Sequence, residues 1–131
     1  MRYTIDMSSK ILIIEDNHTL TESLCDILSL DDYEVTATSS GREGLEKALK
    51  LHPDLIILDI KMPDMDGYQV FAALRKDIWG KQARVLILTA SESIEQISKN
   101  VDLPTKYVLF KPKVSVEQLR EVIKARLSQP E

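Results

Sequence analysis

The chain has 131 residues, enough for one domain with a full core and too few for two. With 44% hydrophobic and 29% charged residues, its composition is that of an ordinary globular protein. A net charge of -4 disfavours a nucleic-acid or anionic-membrane surface, the single cysteine (Cys25) excludes an internal disulfide, and no run approaches the ~18 apolar residues of a membrane helix.

Residues 1–9, "MRYTIDMSS", lack the apolar core of a signal peptide and are read as a flexible arm on a cytoplasmic protein. The first strand is the apolar run "KILIIED" (10–16). A helix follows in "NHTLTESLCDILSL", with Leu20, Leu24, Ile27 and Leu28 on one stripe and Asn17 or Thr19 placed to cap it. "YEVTATS" (33–39) is the second strand, and "GREGLEKALKLH" (41–52) the second helix, with Leu45, Ala48 and Leu49 inward and Pro53 as its stop. "DLIILD" is the third strand, short, branched and apolar enough to be buried on both faces. The third helix, "GYQVFAALRKD" (67–77), turns Val70, Phe71 and Leu74 inward. "ARVLILTA" (83–90) is the fourth strand, "SESIEQISKNVD" (91–102) a helix on Ile94, Ile97 and Val101, and "KYVLFK" (106–111) the fifth strand. The last helix, "SVEQLREVIKARLSQ" (115–129), packs through Val116, Leu119, Ile123 and Leu127; residues 129–131 are read as a tail.

Strict alternation of this kind predicts a flavodoxin-like α/β domain over residues 10–128, a five-stranded parallel sheet with five helices on both faces. Ligands of such sheets bind beyond the carboxyl ends of the strands. Those ends carry Glu15 and Asp16, Asp59, Thr89 and Lys111, while the second strand offers only Thr38 and Ser39. A strand-terminal acid is often just the cap of the next helix, but three gathered at one edge need compensation. Oxygen donors without a nearby histidine or cysteine suit Mg²⁺; the scattered Cys25, His18 and His52 argue against zinc. Lys111 and Thr89 beside a hard cation make a pocket for a phosphoryl group, and Asp59 is its natural nucleophile.

The acid pair "ED", the turn "LDIKMPDMDG", the strand end "LTA" and the dipeptide "KP" together resemble the receiver domain of bacterial response regulators, over residues 10 to about 128. The resemblance implies that Asp59 accepts a phosphoryl group from a phosphohistidine on a sensor histidine kinase or phosphotransfer protein. It implies Mg²⁺ held by Asp16 directly, by Glu15 directly or through water, by Asp59 and by the backbone carbonyl of Lys61. Lys111 then pairs with the phosphate, Thr89 supplies a hydroxyl, and the backbone N–H groups of Lys61 and Ala90 complete the cradle. A cis Lys111–Pro112 bond is implied as well. Pro63, Asp66 and Gly67 become structural, as stiffener, helix cap and point of close approach, and neither Asp64 nor Asp66 is expected to bind metal.

The expectation is a stand-alone, chemotaxis-regulator-like receiver, not a conventional enzyme, whose only covalent chemistry is gain and loss of phosphate at Asp59. Its output would pass to a downstream protein through the fourth helix, fifth strand and fifth helix. One departure stands out: the aromatic switch residue usual three places before the lysine is Val108, with Tyr107 beside it. Because successive strand residues face opposite sides, Val108 is read as a replacement, with a bulge that re-aims Tyr107 as the alternative. Pro104 is expected to shorten the fourth helix or loosen its end. Lys61, Ser91 and Lys113 stand on the rim of the pocket. A degenerate receiver that binds partners without phosphorylation is the rival function. A phosphatase is disfavoured by Lys61 at the place of its second acid, and a flavin protein by Glu15 and Asp16 at the place of its phosphate loop.

Overall fold

The computed structural model describes residues 8–91 and 93–128. Ten elements alternate: β1 (Lys10–Ile14), α1 (His18–Ser29), β2 (Glu34–Thr38), α2 (Gly41–Leu51), β3 (Leu55–Leu58), α3 (Gly67–Lys76), β4 (Val85–Thr89), α4 (Ile94–Val101), β5 (Val108–Phe110) and α5 (Val116–Ser128). All strand pairs are parallel, in the order β2-β1-β3-β4-β5. Most of the expected arm, residues 1–7, and the tail, 129–131, lie outside the described residues. Ser9, which the sequence assigned to the arm, is held: its carbonyl accepts from the Glu34 N–H at 2.9 Å.

Alternate strand residues feed two separate cores, as a sheet covered on both faces requires. Leu12, Ile14, Ile56, Leu58 and Ile87 pack toward α2, α3 and α4, whereas Ile11, Ile13, Leu55, Ile57 and Leu88 pack toward α1 and α5. Fully burying each such side chain is worth about 1.5–3 kcal/mol. The same alternation places Val108 in the first core and Tyr107 in the second. Pairing of Ile87 with Val108 and Thr89 with Phe110 continues without a bulge, so Val108 does stand where the switch aromatic would be. Beside Tyr107, the Arg126 guanidinium lies 4.4 Å from its ring centre.

Two helices start on the capping residues their sequences suggest, and two more on residues the sequence did not single out, Ser40 at α2 and Ser115 at α5. Asn17 accepts from Leu20 N at 3.1 Å, and Asp66 forms a reciprocal box with Gln69. Ser115 and Gln118 repeat that box at α5, so the first turn is held by capping and Val116 stays 48% exposed, contrary to its expected burial. Leu49 likewise is 37% exposed: α2 turns its small-residue face inward, with Gly44 against Ile14, Ala48 in the core and Gly41 against Met65, so Leu49 faces outward. The fifth strand is shorter than expected because Thr105–Tyr107 form a 3₁₀ turn closed by the Tyr107 N–H on the Pro104 carbonyl. Pro104 does not loosen α4. That helix ends three residues earlier, with Asp102 left-handed at φ 50° and Leu103 N–H bonded to Ser98 O. The Lys111–Pro112 bond is trans, like every peptide bond among the described residues, and the turn after it closes through Lys113 N–H on Phe110 O.

At the amino-terminal edge of the sheet, Trp79 stacks on His52, with ring centres 4.4 Å apart and planes within 6°. Near that edge, Asp31 joins the α1–β2 loop to α5. Its carboxylate accepts from Arg120 Nε at 2.9 Å and Nη2 at 2.7 Å. The Arg120 hydrogen bond holds the Asp31 carboxyl below its ordinary 3.8. A depressed acid contributes stability above its unfolded value and loses it as pH falls through the folded one. Thermal melts of wild type and Asp31→Asn should therefore differ at neutral pH and converge below pH 3.8. A gap that persists in acid would assign the loss to packing.

Candidate functional site

Strand order reverses at β1, so the crevice between the ends of β1 and β3 is the topological switch point. The backbone delivers one acid from each side. Asp59 N–H donates to Ile14 O at 3.0 Å, and Glu15 N–H to Thr38 O at 3.1 Å, extending both ladders one residue past the strands. Oxygens of Glu15, Asp16 and Asp59 lie within 4.8 Å of one another. Glu15 and Asp59 are only 3% and 5% exposed, while Asp16 is open to solvent.

Two nearly dry carboxylates need a partner, and β5 supplies it. Lys111 N–H donates to Thr89 O at 2.7 Å, which aims the side chain back over the β3 end. Its ammonium is 2.6 Å from Glu15 and 3.4 Å from Asp59. The other Glu15 oxygen accepts from Asn17 N at 3.1 Å. Burial nevertheless pushes the Glu15 carboxyl up to about 7, the Asp59 charge adding to that and the Lys111 and Asn17 bonds opposing it. Thr89 is fully buried, and its hydroxyl accepts from Ser91 N at 3.0 Å, leaving its own proton to donate.

The sequence-predicted residues thus converge: Glu15, Asp16, Asp59 and Lys111 in direct geometry, Thr89 at the adjoining strand end. Lys61 and Ala90 follow Asp59 and Thr89 as exposed loop residues. Lys61 lines an open hollow with Asp16, Met62, Pro63, Asp66 and Tyr68. Asp66 is spent on its cap, and Asp64 lies 3.5 Å from Arg42, so neither is drawn into the acid cluster. His18 is an exposed helix-start residue. Cys25 packs at the edge of the α1–α5 core, and burial, with Asp26 and Glu22 beside it, raises its thiol and disfavours the reactive thiolate.

Sequence reasoning missed the role of the Asn17 N–H on Glu15, although the residue had already been marked as a cap. It also missed the contact between Gly41 and Met65, for which two separated positions give no signal. Gly67 behaves as expected. A Cβ there would lie 2.8 Å from Ile60 Cα and closer still to the Asp59 carbonyl oxygen.

Acids, a lysine and a hydroxyl gathered beyond the strand ends at the switch point of a 2-1-3-4-5 sheet mark an α/β domain whose ligand site lies at that edge. The family profile that matches residues 11–124 is the response regulator receiver domain, and the chain belongs to that family. Among curated relatives it is 41% identical over 120 residues to the transcriptional regulatory protein HprR of Escherichia coli, covering 92% of this chain and 52% of that protein. Sporulation initiation phosphotransferase F of Bacillus subtilis is 27% identical over 92% of this chain and 95% of its own length. The chain therefore spans about half of the first relative and nearly all of the second. Among solved structures, the chemotaxis response regulator CheY4 of Vibrio cholerae superposes with a TM-score of 0.81 at 31% identity, covering 92% of this chain and 99% of that one. The receiver domain of sensor histidine kinase PA1611 of Pseudomonas aeruginosa, a structure with magnesium in its active-site cleft, gives 0.83 over 93% and 99% at 22% identity, a likeness of fold.

Three measurements check this geometry. In chelator, carboxyl ¹³C shifts should show Glu15 taking up a proton near pH 7, and Lys111→Met should move that midpoint higher. Since the folded carboxyl holds a proton that the unfolded chain releases from about 4.5, metal-free stability should fall as pH rises from 4.5 to 7. Gly67→Ala must displace the backbone beneath Asp59; urea melts should show it about 1–3 kcal/mol less stable at unchanged slope.

Proposed function

We propose that this receiver is a phosphorylation-controlled signalling switch whose acceptor is Asp59. The observation that carries the reading is the convergence of Glu15, Asp16 and Asp59 within 4.8 Å under the Lys111 ammonium. The donor set is all oxygen, a fit to Mg²⁺: Asp16 exposed for direct ligation, Glu15 and Asp59 behind it, and the Lys61 carbonyl on the adjoining loop. Bound there, the cation neutralises phosphoryl oxygens and lowers the cost of approach by an anionic nucleophile.

The residues divide the remaining work. An Asp59 carboxylate oxygen attacks phosphorus of a phosphohistidine on a sensor histidine kinase or phosphotransfer protein. The O–P bond forms as the N–P bond breaks, and the electron pair returns to the imidazole. Lys111 exchanges part of its contact with Glu15 for a phosphoryl oxygen. Thr89 donates its hydroxyl proton to another, and the N–H groups of Lys61 and Ala90 hold the rest. Loss of phosphate to water at the same centre resets the switch. We place the exchange in the cytoplasm; among the described residues no helix is long and apolar enough to cross a membrane.

Drawing Thr89 toward phosphate breaks its bond from Ser91 N–H, at the turn that leads into α4. The output is then a population shift on the face formed by α4, β5 and α5, read by a downstream protein. A groove of about 380 Å³ lies there, lined by Ile94, Val108, Phe110, Lys113, Val114 and Val122.

Intact-protein mass after incubation with Mg²⁺ and a small acyl phosphate tests the reading. One phosphoryl adduct is expected in wild type and none in Asp59→Asn or in chelator. No adduct in wild type would overturn phosphorylation at this site and favour a module that binds partners without it.

A further inference from the structure

The loop from Asp59 to Asp66 carries both the acceptor carboxylate and the Lys61 carbonyl, and its outer limb does not rest on the sheet. Gly67 N–H on Ile60 O, at 2.8 Å, ties its two ends together. The far limb, Asp64 and Met65, lies instead against the first turn of α2. A Cβ on Gly41 would lie 2.9 Å from the Met65 carbonyl carbon and 3.0 Å from its Cβ, with the carbonyl oxygen nearer than either. Arg42 Nε stands 3.5 Å from Asp64 Oδ2, side by side with that contact. No glycine among the described residues has a positive φ, so closeness, and not backbone conformation, requires glycine at 41.

The helix that meets the loop is itself fixed against the other half of the pocket. Ser40 caps its first turn, accepting from Glu43 N at 3.2 Å. One turn on, Gly44 seats it on Ile14, where a Cβ would come within 2.6 Å of the isoleucine side chain. Ile14 is the residue before Glu15. The first turn of α2 is therefore a spacer between Ile14, next to the Glu15–Asp16 end of β1, and Met65, on the far limb of the Asp59–Asp66 loop.

We propose that Gly41, assisted by Arg42, is a positioning residue for the metal: it sets how far the loop approaches β1, and hence whether the Lys61 carbonyl and the carboxylates meet one cation together. This rests on the Mg²⁺ reading above. Mg²⁺ tolerates little distortion, with oxygen ligands at ~2.0–2.1 Å in near-octahedral array. Carbon–oxygen contacts settle near ~3.3–3.6 Å, so a methyl at 41 drives Met65 outward by on the order of 1 Å. That displacement opens the ligand set without touching any ligand.

The test is Mg²⁺ titration of the unphosphorylated protein by calorimetry, with amide shifts of Asp16 and Lys61 as a second readout and thermal melts alongside. Wild type must first bind Mg²⁺ at these amides; a wild type without binding overturns the metal reading itself, and lack of acyl-phosphate labelling leaves this titration unaffected. Gly41→Ala should bind Mg²⁺ at least fivefold more weakly. Leu28→Ala, in the core far along α1, should lower the melting temperature while holding affinity within twofold. A smaller loss in Gly41→Ala, or an equal loss in Leu28→Ala, overturns the proposal. Arg42→Gln decides the matter if Gly41→Ala does not melt cooperatively. Removing a cation beside an acidic pocket should by charge alone tighten Mg²⁺, whereas loss of the clasp should weaken it two- to threefold. Unchanged or tighter binding would refute the spacer role.

Discussion

The bond between the half-buried Lys111 ammonium and the buried Glu15 carboxylate, 2.6 Å long, is the constraint around which the pocket is arranged. Two buried acids at the ends of neighbouring strands repel each other and have lost their hydration. A single cation from β5 answers both, because the parallel register puts its backbone beside Thr89 and its side chain across the edge. Removing one member of such a pair leaves the others uncompensated. The resting protein therefore holds an acceptor already relieved of part of its charge, yet shared with a competing acid. In the proposed function, phosphoryl oxygens and a divalent cation would each displace one side of that sharing.

Around this centre the chain is close-packed through glycine where side chains would intrude. Gly67 brings α3 onto the acceptor's own carbonyl, Gly41 brings α2 onto the loop, and Gly44 brings it onto β1. The effect is to surround the acid cluster with backbone contacts that have little room to give. The side chains, above all the long stem of Lys111, keep rotatable bonds that these backbone contacts do not fix. That division suits a switch, in which ligand geometry must persist while a hydrogen-bond partner is exchanged.

Most of the fold was legible because its signals are local and agree with one another. Branched apolar runs announced the strands, Asn17 and Asp66 the helix starts, and alternation the parallel topology. The acids, Thr89 and Lys111 could be placed together since strand ends of one sheet share an edge. Period-two alternation was also enough to separate Tyr107 from Val108. What could not be read was set by contacts between distant positions. Leu49 looked inward by spacing, but the small face of Gly41, Gly44 and Ala48 turned the helix otherwise. Val116 looked like a core residue, yet Ser115 and Gln118 secure that turn by themselves. Pro104 signalled an interruption without revealing that the chain would use it to make a 3₁₀ turn and bury Tyr107. The spacing of acid and loop depends on Met65 meeting Gly41, a relation no window of sequence contains.

The stacked pair of Trp79 and His52 has a practical meaning for anyone following this protein by light. The only indole in the chain is at the edge of the sheet remote from the acids, with an imidazole lying flat on it at 4.4 Å. That neighbour and the α3–β4 connection form its surroundings, at the edge opposite the carboxyl ends of the strands. Intrinsic fluorescence is thus a gauge of global unfolding that stays nearly blind to occupancy of the pocket. A dye or a second indole near Phe110 would supply the missing channel, with Trp79 retained as its built-in reference.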